Sequence, residues 1–283
     1  MKKKTVIITG ASGGFGKEFT KRFLKAGYHV VATIRDEAKK PGLMEGLSEK
    51  EVEHLSIALL DVADKESVTR FGQYLPSLER IDVLINNAGF AVAGFAEELT
   101  DEEYLYQLET NLFGVMRVTN MALPKMRQQG VGRIINISSI SGLIGFPGLS
   151  PYASSKYALE GYSESLRLEL REFGIDVVLI EPGSFQTNIW STGTYMSSKA
   201  GKHNSPYLEL FTNMNKRLQK DRETYGDPSD VGALVLKIAS MKNTPSLRYT
   251  VGKGVKLSLL AKRILPWKMW EKIVLTQLRQ DKK

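Results

Sequence analysis

Residues 5–16 read TVIITGASGGFG, and this stretch decides the predicted fold. Its first residues are apolar and largely β-branched, as in a strand buried on both faces of a parallel sheet. A glycine-rich turn follows, and KEFTKRFLKA at 17–26 can continue as a helix. A strand, a glycine turn and a helix in this order predict a βα unit whose helix start can bind phosphate groups.

Three glycines of this turn have separate predicted tasks. Gly10 allows a sharp turn off the strand, Gly14 lets the backbone approach a pyrophosphate, and Gly16 lets the helix pack on the sheet. The spacing is G-x-x-x-G-x-G, which differs from the more general G-x-G-x-x-G. Taken alone, such a turn is also compatible with a flexible loop.

Apolar strands and amphipathic helices alternate to about residue 181, which is typical of repeated βαβ units. Strands are predicted at Thr5–Thr9, His29–Ile34, Glu53–Leu60, Asp82–Asn86, Gly132–Ser138, Ile175–Glu181 and Leu247–Val251. Helices are predicted at Gly14–Ala26, Lys65–Leu78, Asp101–Gln128, Pro151–Phe173 and Pro228–Met241. The pattern predicts an α/β fold of Rossmann type, with a doubly wound, mostly parallel sheet and helices on both faces.

The composition argues against several classes of protein. A chain of 283 residues with 42% hydrophobic content can bury a large core, and it has no apolar run of membrane-spanning length. It has no cysteine, and its three histidines lack metal-ligand spacing, so no metal site is predicted. Met1-Lys2-Lys3-Lys4 leads directly into the first strand, and we expect a cytoplasmic protein.

The distribution of charge and the alternation of strands and helices divide the chain into parts. Residues 1–252 are predicted to form one catalytic domain, and residues 253–283 a basic extension with nine basic and two acidic residues. The rest of the chain is nearly neutral, so nucleic-acid binding is not predicted. The polar interval 184–227 interrupts the alternation of strands and helices. It is predicted to be a substrate lid with a short helix near 207–220, and the alternative is a disordered segment.

The lid contains bulky apolar residues, which favour a bulky apolar substrate: Phe185, Ile189, Trp190, Tyr195, Tyr207, Leu208 and Phe211. The alternative is that these side chains only pack the lid against the body of the protein.

The end of the second strand bears on the choice of nucleotide. A carboxylate at this point would bind the ribose 2′-hydroxyl of NAD, whereas an arginine suits the 2′-phosphate of NADP. The sequence Ala32-Thr33-Ile34-Arg35 places Arg35 there and favours NADP(H) over NAD(H). The alternative is that Arg35 is solvated and Asp36 binds the ribose.

Tyr152 and Lys156 lie four residues apart, on one face of a predicted helix. A neighbouring ammonium group favours the phenolate and is expected to lower the pKa of Tyr152, which would make it an acid/base group. Ser139 lies at the end of a strand, where ligands bind in open α/β sheets. Ser138 and Ser141 are alternatives to it, and all three serines could merely satisfy loop backbone groups.

These residues and several others together resemble the short-chain dehydrogenase/reductase family over residues 4–252. The signs are Thr9–Gly16, Asp61-Val62, Asn86-Asn87-Ala88-Gly89, Asn111, Ser139, Tyr152, Lys156, Pro182-Gly183 and Thr187. The resemblance implies a seven-stranded sheet, a homodimer or homotetramer, and hydride transfer between NADP(H) and a carbonyl or alcohol.

The resemblance also implies residue roles. Asp61 with Val62 would contact the adenine, Asn87 and Gly89 the adenosine ribose, and Pro182-Gly183 with Thr187 the nicotinamide amide. The glycine turn, with Ser12 and Phe15, would hold the pyrophosphate. At the reacting end, Ser139 would bind the substrate oxygen, Tyr152 would exchange its proton, Lys156 would grip the nicotinamide ribose, and Asn111 would hold a relaying water.

Phe15 departs from the family pattern, which more often has isoleucine there; phenylalanine occurs in retinol- and hydroxysteroid-type relatives. Two alternative functions are a non-enzymatic NADP(H) sensor and a nucleotide-sugar epimerase or dehydratase. The sensor would not need all four of Asn111, Ser139, Tyr152 and Lys156, and the nucleotide-sugar enzymes generally have a different glycine spacing.

The basic extension is predicted to contain an amphipathic helix. Trp270, Ile273, Val274 and Leu278 can form its apolar side, while Lys268, Lys272 and Arg279 face away. This helix either closes the substrate pocket, packs on a neighbouring subunit, or lies on an anionic membrane surface with Trp267 and Trp270 at the headgroups.

Overall fold

The structure is a computed structural model and describes residues 3–187, 189 and 193–279. Its described strands are β1 (Thr5–Ile8), β2 (His29–Ile34), β3 (Leu55–Leu59), β4 (Val83–Asn86), β5 (Ala91–Ala93), β6 (Gly132–Ile137), β7 (Ile175–Pro182), β8 (Thr194–Met196) and β9 (Arg248–Val251). Its described α-helices are α1 (Gly14–Lys25), α2 (Lys40–Met44), α3 (Glu49–Val52), α4 (Lys65–Tyr74), α5 (Asp101–Leu108), α6 (Gly114–Gln129), α7 (Ser150–Leu170), α8 (Leu208–Asp221), α9 (Pro228–Ser240), α10 (Val255–Ile264) and α11 (Trp267–Arg279).

Seven strands form one sheet in the order β3-β2-β1-β4-β6-β7-β9, and all neighbouring strands are parallel. The strand order reverses between β1 and β4, so a crevice opens at their carboxyl ends. The predicted Rossmann-type fold with a seven-stranded sheet is therefore confirmed.

Apolar layers cover both faces of the sheet. Ile8 belongs to a core that includes Phe19 and Val235, and Ile7 belongs to a second core that includes Phe71 and Val118. Successive residues of a strand point to opposite faces, so the apolar run of β1 feeds both cores. This packing fixes the position of the glycine turn, which follows the carboxyl end of β1.

The predicted element bounds agree with the structure to within a few residues, with four differences, of which the first is that α10 was not predicted. The predicted helix 101–128 is divided by a π-helical turn at Glu109–Phe113. The short helices α2 and α3 were not predicted, because four or five residues are too few to show a helical period. The three-residue strands β5 and β8 were also missed; they pair in parallel and join the segment after β4 to the lid interval.

The chain after β9 forms two helices. The inner side of α11 packs against α8, and Trp270 is buried. Ile273, which the sequence placed on the same apolar side as Trp270, is exposed instead. None of the described helices is both long and apolar enough to cross a membrane.

Candidate active site

The glycine turn has no room for side chains at two positions. Gly10 has a φ of +65°, and a Cβ there would lie 2.8 Å from the Cα of Ala88. A Cβ on Gly16 would lie 2.3 Å from the carbonyl oxygen of Gly10, well inside van der Waals contact. The tasks predicted for these two glycines, turning the chain and packing the helix, agree with this geometry.

The start of α1 is open to an anion. Gly13 precedes the helix without a side-chain cap from any described residue, and the first turn of α1 contains no acidic residue. Backbone N–H groups at an uncapped helix start attract negative charge. A Cβ built on Gly14 would face Thr187 at 3.5 Å, so the segment after β7 approaches the helix start.

Phe15 is held by aromatic neighbours. Its ring stacks on Phe19 at a centroid distance of 6.0 Å and meets Phe185 edge-on at 5.6 Å. The ring thus joins α1 to the segment that follows β7. This contact gives a structural reason for phenylalanine at a position where the family more often has isoleucine.

Asn87 braces the glycine turn from the next strand. Its side-chain Nδ2 donates to the carbonyl oxygens of Thr9 at 2.9 Å and Gly10 at 3.1 Å. Its backbone N–H and that of Ala88 donate to Thr9 Oγ1, each at 3.0 Å. The sequence did not predict this bracing; the ribose contact that the resemblance implies for Asn87 and the exposed Gly89 stays a prediction.

The end of β2 lies beside the turn, since the N–H of Ala11 donates to the carbonyl oxygen of Thr33 at 2.8 Å. Arg35 is exposed at this end. Asp36 caps the following 3-10 turn, and its Oδ1 accepts the N–H of Ala38 at 2.9 Å. One oxygen of the Asp36 carboxylate is thus engaged in capping, while the Arg35 side chain is exposed beside the glycine turn.

Asp61 and Val62 follow β3 on the same side of the sheet. Asp61 Oδ1 accepts the N–H of Ala63 at 2.9 Å, and the N–H of Asp61 donates to Ser67 Oγ at 2.9 Å. Val62 is buried against Gly114 at the start of α6. The turn geometry, the uncapped helix and the exposed guanidinium of Arg35 fit a nicotinamide dinucleotide.

Tyr152 and Ser139 meet in the interior. Both are buried, and a hydrogen bond joins their side chains. Ser139 Oγ also accepts the N–H of Ser141 at 3.1 Å. The side chain of Ser138 lies elsewhere, beside Glu160. Of the three candidate serines, Ser139 is therefore the one whose side chain bonds the phenol.

Lys156 lies next to Tyr152 on α7. Its Nζ donates to the carbonyl oxygen of Ile137 at 2.8 Å and lies 5.7 Å from the centroid of the Tyr152 ring. Burial lowers the pKa of Lys156 to about 8, and the nearby carboxylate of Glu160 opposes this shift.

The expected lowering of the Tyr152 pKa was wrong for the structure as described. Burial raises the pKa of Tyr152 to about 12, and the hydrogen bond to Ser139 opposes the shift only in part. The charge of Lys156 is visible in the sequence, whereas the loss of water around the phenol is not, and this loss raises the pKa of Tyr152. At neutral pH the phenol is consequently protonated and can donate.

Asn111 sits in the π-helical turn and is buried. Its Nδ2 donates to the carbonyl oxygen of Phe90 at 3.1 Å and to Ser155 Oγ at 3.2 Å, while its Oδ1 accepts the N–H of Phe90 at 3.2 Å. Ser155 Oγ in turn donates to the carbonyl oxygen of Tyr152 at 2.8 Å. Asn111 thus fastens the segment after β4 to the helix that carries Tyr152, and π-helical turns are frequent at functional sites.

A partly buried charge cluster behind Lys156 was not predicted. Arg248 Nε lies 2.9 Å from Glu160 Oε2 and 3.4 Å from Glu181 Oε1, and Arg248 Nη1 lies 3.1 Å from Glu164 Oε1. Burial, together with the charge of Glu160, raises the pKa of Glu181 to about 7. Two signals were available: Glu160 comes one helical turn after Lys156, and Glu181 interrupts the apolar run of β7.

The end of β7 abuts the C-terminal helices. The N–H of Gly183 donates to the carbonyl oxygen of Val251 at 2.9 Å, and a Cβ on Gly183 would come within 2.6 Å of Val255. Pro182 is buried beside it. A side chain at residue 183 would therefore displace the start of α10.

The lid rests on the loop between Ser139 and Tyr152. Met214 of α8 lies 3.1 Å from the Cβ position of Gly148. Tyr207 stacks on Phe95 with ring centroids 4.4 Å apart, and Tyr195 contacts Tyr106 edge-on at 6.0 Å. Several lid aromatics therefore pack against the body, as the alternative reading of them predicted. Trp190 lies outside the described residues.

Fold and site together define a nicotinamide-dependent oxidoreductase, and comparison with known proteins gives the family. Residues 4–201 match the sequence pattern of the short chain dehydrogenase family. The chain belongs to this family and is an enzyme, so the sensor alternative is set aside. It is 44% identical over 279 residues to an uncharacterized oxidoreductase of Bacillus subtilis, YusZ, covering 98% of this chain and 99% of the relative.

Two further relatives are informative. The 3-ketodihydrosphingosine reductase of Bacteroides thetaiotaomicron is 37% identical over 258 residues, which cover 91% of each chain. The solved structure of ElxO with NADP bound is 28% identical with a TM-score of 0.74, and the match covers 90% of this chain and 100% of ElxO.

Proposed function

We propose that this enzyme is an NADPH-dependent reductase that converts a bulky apolar ketone or aldehyde to an alcohol. The observation that carries the proposal is the buried phenol of Tyr152, protonated at neutral pH and bonded to Ser139, on the sheet edge where the glycine turn lies. In the proposed reductive direction, this phenol donates its proton to the carbonyl oxygen of the substrate.

In the proposed mechanism, Ser139 donates a hydrogen bond to the substrate carbonyl and polarises it. NADPH, which the glycine turn Gly10–Gly16 and Arg35 would hold, would supply the hydride for the carbonyl carbon. Tyr152 transfers its proton to the oxygen as negative charge develops there. Lys156, whose Nζ lies 5.7 Å from the centroid of the Tyr152 ring, then stabilises the phenolate until a proton returns. Asn111 keeps α7 in register with the segment after β4.

The choice of NADPH over NADH is proposed from Arg35. Its exposed guanidinium can pair with a 2′-phosphate in a bidentate manner, while Asp36 is engaged as a cap. The NADP-bound structure of ElxO supports the same choice.

The substrate class is proposed from the apolar surroundings and from one relative. Met214 and Phe95 lie against Gly148, in the loop between Ser139 and Tyr152, and give this loop an apolar border. The relative from Bacteroides thetaiotaomicron is named for reduction of 3-ketodihydrosphingosine, which is a long-chain ketone. We propose a ketone with a long apolar chain. The homo-oligomeric state and the cytoplasmic location expected from the sequence stay predictions.

The test is Tyr152→Phe, assayed by NADPH oxidation over a panel of long-chain and short polar ketones. Removing only the proton donor should lower kcat by about 10²-fold or more and leave NADPH binding close to normal. Tyr157→Phe is the matched control, since Tyr157 is exposed on the same helix and its hydroxyl bonds Lys262. A Tyr152→Phe enzyme that keeps most of its kcat would refute the proposed mechanism.

A further inference from the structure

The outward face of α10 carries a row of exposed apolar side chains. Leu257, Leu260 and Ile264 are spaced three and four residues apart and share one face of the helix, and Trp267 opens α11 three residues later. Each of the four is between 52% and 71% exposed. We call these four residues the ridge.

The helix that carries the ridge is fastened on its other sides. Val255 is buried against Gly183, and Lys262 donates to the carbonyl oxygen of Leu143 and to the phenol oxygen of Tyr157, the latter at 2.7 Å. The following helix, α11, packs against α8. The ridge is therefore a fixed part of the surface, and its apolar side chains are not the inner face of a detached helix.

Basic residues accompany the ridge. Lys256 and Arg263 are exposed seven residues apart, on one side of α10, and Lys253 and Lys268 are exposed just before and after this helix. Between residues 253 and 279 the sequence has seven basic residues and a single acidic one, Glu271. An apolar row with cations beside it is the pattern of a helix that lies in a membrane interface.

We infer that α10 and Trp267 bind the surface of an anionic lipid membrane. The ridge would lie at the boundary between headgroups and acyl chains, with the basic residues at the lipid phosphates. This occupant uses both features of the surface. A nucleic acid would leave the ridge exposed, and a two-fold contact with a second copy would bring two basic rows together.

On the side opposite the ridge, α10 contacts the loop that follows Ser139. Lys262 holds α10 against Leu143, which is in the loop that begins at Ser139. An apolar ketone dissolved in the bilayer would thus be delivered beside the site; that step rests on the proposed function, whereas membrane binding does not.

The test is co-sedimentation of the full chain with vesicles of phosphatidylcholine alone or mixed with phosphatidylglycerol, without substrate or cofactor. Binding should require phosphatidylglycerol and weaken strongly between about 0.01 M and about 1 M salt, as the screening length falls from about 30 Å to about 3 Å. The variant Leu257→Ser/Leu260→Ser should bind at least about tenfold more weakly. Leu168→Ser, at an exposed leucine of α7, is the matched control and should bind as the unaltered protein does.

A charge variant and a fluorescence measurement complete the test. Lys256→Gln/Arg263→Gln should reduce binding about tenfold at low salt, whereas Lys50→Gln/Lys65→Gln, at exposed lysines elsewhere, should not. Brominated phosphatidylcholine in the anionic vesicles should quench tryptophan emission, and Trp267→Phe should remove most of that quenching. This second readout does not depend on how the serine variant folds.

Three results would overturn the inference. The intact protein could remain in the supernatant with anionic vesicles at low salt, or the ridge variant could sediment with them as the unaltered protein does. Alternatively, the ridge variant could turn an oligomer into a monomer while vesicle binding is absent, which would make the ridge a contact between copies. Because binding is measured without turnover, failure of the Tyr152 mechanism would leave the result intact.

Discussion

Replacing Glu181 with glutamine should make the protein more stable above pH 7. Glu181 is 1% exposed, and its Oε1 has no hydrogen-bond partner among the described residues. Its charged partner, Arg248, also forms ion pairs with Glu160 and Glu164. Glutamine keeps the shape of the side chain and cannot ionise, so it removes the buried negative charge and little else.

The magnitude follows from the pKa of Glu181, which burial and Glu160 raise from 4.5 to about 7. Between these two values the folded protein binds more protons than the unfolded chain, so the free energy of unfolding falls as pH rises. The slope is about 1.4 kcal/mol per pH unit. Ionised Glu181 should therefore cost the native protein about 3–4 kcal/mol above pH 7, and this cost is absent in the glutamine variant.

The assay is urea unfolding at pH 5 and at pH 8, for Glu181→Gln and for Glu164→Gln as the matched control. Glu164 pairs with the same arginine, but its side chain is 54% exposed, so its replacement should change the free energy of unfolding by less than about 0.5 kcal/mol. Glu181→Gln should be more stable than the unaltered protein at pH 8, and the difference should shrink at pH 5.

The opposite result would refute this reasoning. If Glu181→Gln is less stable at pH 8 and the loss disappears at acid pH, then the ionised carboxylate gains more from Arg248 than it loses by burial. The pKa of Glu181 would then lie below its usual range.

Two further predictions concern the site itself. Arg35→Ala should abolish the preference for NADPH over NADH, because the 2′-phosphate loses about 1.5–3 kcal/mol of binding free energy without its guanidinium partner. The measurement is kcat/KM for both cofactors, and an unaltered enzyme that prefers NADH would contradict the prediction. The kcat for reduction should fall as pH rises through about 8, where Lys156 loses its proton. Glu160→Gln should move this fall to lower pH, because the carboxylate of Glu160 opposes the lowering of the Lys156 pKa. An unshifted pH profile of kcat would argue against that role of Glu160.

The sheet was predictable because local patterns and global packing agree in it. Strand β2 has the predicted bounds, His29–Ile34, because six mainly apolar and β-branched residues are too few for a typical helix and suit a strand covered on both faces. The pair β5 and β8 was not predictable, because three residues show no alternation and their partner lies about 100 residues away. The π-helical turn around Asn111 likewise has no period of its own, and its bonds to Phe90 and Ser155 come from distant segments.

In the site, the positions could be predicted but their electrostatics could not. Sequence spacing indicated that Tyr152 and Lys156 share a helix face, and the structure agrees. The direction of the Tyr152 pKa shift depends on how much water the fold removes, and that is set by tertiary packing. The same limit hid the cluster of Glu160, Glu181 and Arg248, whose members are 21 or more residues apart in the chain.

That cluster gives a physical reason for the pKa of Lys156. Burial alone disfavours the ammonium, and Glu160, one turn further along α7, favours it, so the balance leaves the pKa at about 8. A cation in this position is worth most when Tyr152 has given up its proton, since the phenolate is otherwise costly in a site without water. Near neutral pH, Lys156 is thus still charged when Tyr152 donates its proton. Because this pH is close to the pKa of Lys156, the ammonium can release a proton afterwards. Arg248 pairs with Glu160 and keeps its carboxylate beside Lys156. Glu181 is buried next to the same arginine, and Glu181→Gln would measure how much this buried carboxylate lowers the stability of the protein.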